Sequence, residues 1–87
     1  MPPPEPAEIQ ATVLRLLDEA GPGHSVGPGD VARALTVGTE WHLLMPAVRR
    51  VAIRLAHAGR IVITRKGRPV DPNDFKGVYR LALPRQD

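Results

Sequence analysis

The sequence contains no cysteine and no long apolar run, and only three of its 87 residues are aromatic. The absence of cysteine excludes disulfide frameworks and cysteine-bearing zinc sites, and it fits a reducing cytoplasm. The apolar runs are only a few residues long, which is too short to cross a bilayer. The opening residues MPPPEPAE have neither the positive region nor the apolar region of a signal peptide. We therefore predict a cytoplasmic protein with no membrane partner.

Side chains that carry catalysis or hold a metal are also scarce. Ser25 is the single serine, so nucleophilic catalysis by serine or cysteine lacks candidates. Asp71 and Asp74 lie in a proline- and asparagine-containing stretch that is typical of turns. No metal-ligand spacing links the three histidines, which are His24, His42 and His57. The sequence thus predicts no enzymatic activity, no catalytic residue, no metal, no cofactor and no small-molecule substrate.

The first half of the chain predicts two helices after a short lead-in. Residues 1–7 are proline-rich, and we expect them to be disordered. Apolar residues then recur at the spacing of one helix face, at Ile9, Val13, Leu16, Leu17 and Ala20. Gly21 ends this helix. A short extended piece follows, and Pro28 begins a second helix at its first position, with Asp30 favouring the N-terminal dipole.

A third helix is predicted from about residue 40 to residue 58. Trp41 starts its apolar stripe, and we expect this ring to be a core anchor. Pro46 comes after the first turn of this pattern, so a kink is expected there. The outer side is predicted to carry Leu43, Pro46, Arg50, Ile53, Arg54 and His57, with Arg49 on its flank.

Two apolar runs at residues 61–64 and 78–83 predict strands. Residues 65–76 between them form a long, basic loop, whereas a plain hairpin turn uses about two to five residues. The element order of the chain resembles the winged helix-turn-helix fold over residues 8–83. The resemblance implies an α+β domain with three helices and a short three-stranded antiparallel sheet in the order α-β-α-α-β-wing-β. Residues 28–58 would be the helix-turn-helix pair, residues 65–76 the wing, and residues 84–87 a C-terminal tail.

Three stretches of the sequence make the resemblance more specific. They are SVGPGDVARAL, WHLLMPAVRRVAIRLAHAGRI, and RKGRPVDP followed by KGVYRL. Together they are similar to a family of short bacterial proteins of unknown function with a predicted winged-helix fold. The family has no assigned activity, so the resemblance bears on the fold and not on the function.

Positive charge is concentrated in the second half of this small basic protein. Residues 41–85 contain ten lysines and arginines but only two carboxylates, whereas residues 1–40 contain two arginines and six carboxylates. This asymmetry predicts contact with a polyanion; otherwise the basic half is a solvated surface.

The winged-helix resemblance implies that the third helix and the wing contact duplex DNA. The cationic residues at matching positions are Arg49, Arg50, Arg54, Arg65, Lys66, Arg68 and Lys76. Arginine and lysine suit phosphate contacts, with arginine able to bond in bidentate fashion. The first turn of the helix is mostly apolar, and only His42 is a candidate for a base contact there. We therefore predict duplex binding that depends largely on phosphates.

An alternative function is protein interaction or dimerisation on the same scaffold without DNA. Leu43 and Ile53 are expected to point outward and form a docking patch. Phe75, near the end of the wing, either folds back onto the domain or stays exposed as a contact residue. A third possibility is non-specific association with RNA or ribosomes through the basic face, although few aromatic residues are available for base stacking.

Overall fold

The computed structural model describes residues 3–84 and contains three α-helices and four short strands. The helices are α1 (Pro6–Ala20), α2 (Pro28–Leu35) and α3 (Met45–His57), and a 3₁₀ helix (Thr39–Leu44) lies directly before α3. The strands are β1 (Ser25–Val26), β2 (Val62–Arg65), β3 (Arg68–Pro69) and β4 (Arg80–Ala82). Along the chain, the order of these elements is α1, β1, α2, α3, β2, β3, β4. The predicted α+β class is confirmed. Within the described residues, no helix has both the length and the apolar character needed to span a membrane.

Helices α1 and α2 both begin at a proline. The fixed φ of proline suits the first turn, and its lack of an N–H costs nothing there because an N–H at that position would have no acceptor within the helix. α1 begins at Pro6, inside the segment 1–7 for which the sequence predicts disorder. It ends at Gly21, which has a φ of 85° and donates its N–H to the carbonyl of Leu17. In α2 the Asp30 carboxylate accepts a hydrogen bond of 3.0 Å from the N–H of Gly27. Of the predicted tail 84–87, residues 85–87 lie outside the described residues.

The prediction of one kinked third helix is wrong. The 3₁₀ helix ends at Leu44, and Pro46 lies in the first turn of the separate helix α3. Proline is favoured in a first helical turn, so it starts a helix here and does not bend one. As a consequence Trp41 lies outside α3 and is only partly buried against the core, with the guanidinium of Arg33 at 4.2 Å from its ring centre.

The four strands form one antiparallel sheet in the order β1-β4-β2-β3. This sheet has one strand more than predicted, because Arg68 and Pro69 turn back and pair with β2. Lys66 and Gly67 make the two-residue turn, with φ values of 52° and 80°. Positive φ at both central positions is the pattern of a type I′ hairpin. Residues 65–76, predicted as one loop, therefore divide into two parts. Residues 65–69 form the tip of a tight hairpin, and residues 70–76 begin the segment that leads to β4.

We call residues 62–69 the basic hairpin and residues 70–79 the return segment. The core lies between the three helices and one face of the sheet, and the return segment contributes Phe75 and Tyr79 to it. The helices and strands contribute Ile9, Val13, Leu17, Val26, Val31, Ala32, Val48, Val51, Ala52, Leu55, Ile63 and Leu81, and Ile61 precedes β2. Because α3 is buried on one side only, its opposite side is left for solvent or a partner.

Candidate nucleic-acid interface

The outer side of α3 carries free cationic side chains. Arg50 and Arg54 are exposed and form neither ion pairs nor hydrogen bonds with other described side chains or backbone groups. Their positions follow from helix geometry, because the buried positions of α3 recur every three or four residues and leave these two outside that stripe. Ile53 is predicted to point outward, but its side chain is half-buried and packs against the core. The outer side of α3 is therefore more polar than the sequence indicates.

Arg49 is used inside the domain. It is half-buried, and its Nη2 donates a hydrogen bond of 2.9 Å to the backbone carbonyl of Phe75. Its guanidinium lies 3.9 Å from the centre of the Phe75 ring and 5.7 Å from that of Tyr79. We call Arg49, Phe75 and Tyr79 the Arg49 clamp. Since its guanidinium already has a bond acceptor and an aromatic face, Arg49 is less available to phosphate than the other cations.

The two rings of the Arg49 clamp are buried. Phe75 and Tyr79 are each 6% exposed, and their ring centres lie 5.1 Å apart with planes inclined at 65°. Of the two alternatives for Phe75, the structure has the one in which it folds back onto the domain. The Tyr79 hydroxyl is buried and has no hydrogen-bond partner among the described residues. Burial raises the pKa of this hydroxyl, and the charge of Arg49 partly opposes that rise. Through the contacts of Arg49 with Phe75, the Arg49 clamp holds the return segment against α3.

The tip of the basic hairpin presents Lys66 and Arg68 to solvent. Arg65 lies at the end of β2, and its Nε donates a hydrogen bond of 3.1 Å to the carbonyl of Val78. Its guanidinium covers Gly77, where an added Cβ would lie 3.0 Å from Nη2. Arg65 thus joins the basic hairpin to the return segment, while Lys76 on that segment is exposed.

The positive charge of the second half is not neutralised within the described residues. Among the described residues, the ion pairs join Arg15 to Glu19 at 3.2 Å and Arg33 to Asp30 at 3.7 Å. Both pairs lie in the first half of the chain, before residue 41. Asp71 accepts a hydrogen bond of 2.9 Å from the N–H of Asn73, as expected of a turn residue. The exposed cationic side chains from α3 onward that form neither an ion pair nor a hydrogen bond with another described residue are Arg50, Arg54, Arg60, Lys66, Arg68 and Lys76, whereas Arg80 donates hydrogen bonds to Ser25. A ligand that carries several negative charges would meet them without having to break an ion pair.

The remaining candidate residues lie around the 3₁₀ helix. His42 is exposed, and its ring meets that of Trp41 edge-on at 5.7 Å. Leu43 is 70% exposed, as predicted. Within residues 3–84, no three histidine, aspartate or glutamate side chains come together as metal ligands would. His42 and Leu43 are therefore available to a partner, whereas Phe75 is enclosed.

The sequence does not predict the Arg49 clamp. The available signal was the position of Arg49 on the flank of α3, between the buried stripe and the outer side. That signal places the side chain at a boundary but does not name Phe75 as its partner, because the two residues are 26 positions apart.

The fold and surface define a small α+β domain with an unneutralised basic face. Residues 6–84 match the family described as protein of unknown function (DUF3253), and the chain belongs to this family. This membership confirms the resemblance to a family of unknown function, while the winged-helix assignment and a bacterial origin stay predictions. No curated protein matches the sequence closely enough to count as a relative.

Proposed function

We propose that this domain is not an enzyme and that it binds duplex nucleic acid, with DNA as the leading ligand. The outer side of α3 and the basic hairpin would form the contact surface. The observation that carries the proposal is the set of six exposed cationic side chains described above, which have neither an ion-pair nor a hydrogen-bond partner among the described residues. The element order supports it, because it resembles the winged helix-turn-helix fold, in which a third helix and a wing contact DNA.

Phosphate contacts would supply most of the affinity. Arg50, Arg54, Lys66, Arg68 and Lys76 are the residues we assign to these contacts. If each neutralises one phosphate, the logarithm of affinity should fall with the logarithm of salt concentration with a slope of about −4.5. A dissociation constant of about 10⁻⁴–10⁻⁶ M is then expected, as for non-specific binding at physiological salt. His42 is the one candidate reader of bases, so unrelated duplexes should bind alike.

The test compares two variants that lower the net charge by the same two units. Lys66→Ala with Arg68→Ala removes both cations at the hairpin tip, and it should flatten the salt slope by about 1.8. Arg15→Glu changes the charge equally on α1, outside the set of residues assigned to phosphate contacts, and should leave the slope near its wild-type value. Both slopes come from fluorescence anisotropy with a labelled duplex at several salt concentrations. An unchanged slope in the hairpin variant, or an equal loss in the control, contradicts the proposal.

Protein interaction is the second candidate function, because three large apolar side chains are exposed. Val37, Leu43 and Val78 are 95%, 70% and 85% exposed. Exposed apolar residues are common singly, so this observation is weaker than the unpaired charge. Ile53 is half-buried and Phe75 is enclosed, which leaves Leu43 as the main element of the predicted docking patch.

A further inference from the structure

The proline-rich segment before α1 lies beside the face of α3 that carries free arginines. A cleft of about 200 Å³ separates them. One wall consists of Pro3, Pro4, Pro6 and Ile9, and the other consists of Ala47, Arg50, Val51 and Arg54. Arg50 and Arg54 therefore belong both to the proposed duplex-binding surface and to a wall of this cleft.

The backbone holds Glu5 at the cleft. Its φ of −69° and ψ of 151° are those of an extended, polyproline-like residue, and the neighbouring prolines on both sides line the cleft. Its carbonyl accepts hydrogen bonds of 2.9 Å and 3.2 Å from the N–H groups of Glu8 and Ile9. Glu5 is thus anchored to the first turn of α1, and α1 packs against α3.

The carboxylates of Glu5 and Glu8 form no ion pair among the described residues, and Glu8 lies in the first turn of α1, where it favours the helix dipole. Glu5 occupies the N-cap position of α1, but its side chain makes no capping hydrogen bond. Both side chains are exposed, and among the described residues neither forms an ion pair with Arg50 or Arg54. Neither glutamate lines the cleft itself, but Pro4 and Pro6 flank Glu5, Ile9 follows Glu8, and these three residues do line it. Exposed charges interact over roughly one Debye length, about 10 Å at 0.1 M ionic strength, so carboxylates next to one wall of the cleft can act on the arginines of the other wall.

We propose that residues 3–8 act as a built-in electrostatic competitor of the nucleic-acid phosphates at α3. This inference depends on the proposed duplex binding and adds a means of regulating it. A phosphate that approaches Arg50 or Arg54 across the proline-rich wall of the cleft would pass the residues next to Glu5 and Glu8, and like charges repel. The two carboxylates lower the affinity of this end of the surface without occupying the arginines. Salt weakens their effect, because it screens exposed charges.

The experiment uses three full-length proteins: the wild type, Glu5→Gln with Glu8→Gln, and Asp18→Asn with Glu19→Gln. Each double variant raises the net charge by two, and both pairs lie on or next to α1. At 1.5 Å per residue, the control pair lies roughly 15–20 Å further along the helix, beyond the screening distance. Anisotropy titrations with one labelled duplex are compared at 50 mM and 200 mM salt, and thermal melts by circular dichroism check that all three proteins are folded.

We expect the Glu5 and Glu8 variant to bind about three- to ten-fold more tightly than wild type at 50 mM salt and less than about twofold more tightly at 200 mM. The control should differ from wild type by less than about twofold at both concentrations. Equal gains in the two variants would mean that net charge acts without regard to position, and equal affinities in all three proteins would mean that the segment does not compete. Either result overturns the inference while duplex binding stands. If none of the three proteins binds, the proposed function has failed and the inference fails with it.

Discussion

Replacing Arg49 by methionine removes the guanidinium of the Arg49 clamp and keeps a long, flexible side chain. The lost hydrogen bond to the Phe75 carbonyl is 2.9 Å long and has a charged donor, a type that contributes about 1.5–3 kcal/mol. The guanidinium also lies 3.9 Å from the Phe75 ring centre, which adds about 0.5–1 kcal/mol. Methionine still packs against an aromatic ring, which offsets part of the loss. We expect the free energy of unfolding to fall by about 2–3 kcal/mol.

Urea unfolding followed by far-ultraviolet circular dichroism measures this loss. With a slope of about 1 kcal/mol per molar urea, the midpoint should move by about 2 M or more. Arg49→Lys should fall between wild type and Arg49→Met, because lysine keeps the charge but lacks the planar fork. Arg50→Met is the matched control on the neighbouring exposed position, and it should change stability by less than about 0.5 kcal/mol. If Arg49→Met unfolds like wild type, or if Arg50→Met is equally destabilised, Arg49 does not stabilise the domain through Phe75.

Three further predictions concern Tyr79 of the Arg49 clamp and the alternative function. Tyr79→Phe removes a buried hydroxyl without a partner among the described residues, so urea unfolding should show a gain on the order of 1 kcal/mol; a clear loss would mean that the hydroxyl is bonded. Burial raises the pKa of Tyr79 above its ordinary value of 10.0, so the hydroxyl loses its proton at a lower pH in the unfolded chain than in the folded domain. The free energy of unfolding of the wild type should therefore fall as the pH rises above about 10, and Tyr79→Phe should lack this part of the decrease. Leu43→Glu should leave the melting temperature unchanged, and under the protein-interaction alternative it should reduce self-association in analytical sedimentation. A wild type that stays monomeric at high concentration excludes the homodimer form of that alternative.

The elements that the sequence predicts best are those set by local chemistry. Gly21 ends α1 because only a residue without a side chain readily adopts its φ of 85°, and Pro28 starts α2 because its φ is already helical. Both effects act within one turn of the chain. The boundary at Pro46 also depends on local chemistry, but the apolar spacing on its two sides is compatible with one kinked helix as well as with a 3₁₀ helix followed by α3.

The hairpin tip is harder to predict because its sequence departs from the usual preference. Type I′ turns favour Asn-Gly or Asp-Gly, and this turn is Lys66-Gly67. Lysine at a φ of 52° is uncommon, so the turn signal is weak. The strand that follows, Arg68–Pro69, has only two residues and no alternating pattern. Pairing of this strand with β2 is therefore visible only in the folded chain.

The difference between Arg49 and Arg50 shows why a basic surface cannot be read from residue type alone. Both are arginines on the same helix, but a rotation of about 100° separates them, and it brings Arg49 against Phe75 and leaves Arg50 in solvent. The consequence for duplex binding is measurable with Arg49→Gln and Arg50→Gln, which remove one charge each. Arg50→Gln should flatten the salt slope by about 0.9 and leave stability unchanged, whereas Arg49→Gln should lower stability and leave the slope unchanged. A flatter slope in the Arg49 variant would show that this guanidinium leaves Phe75 to reach phosphate, and the structural role assigned to it would be wrong.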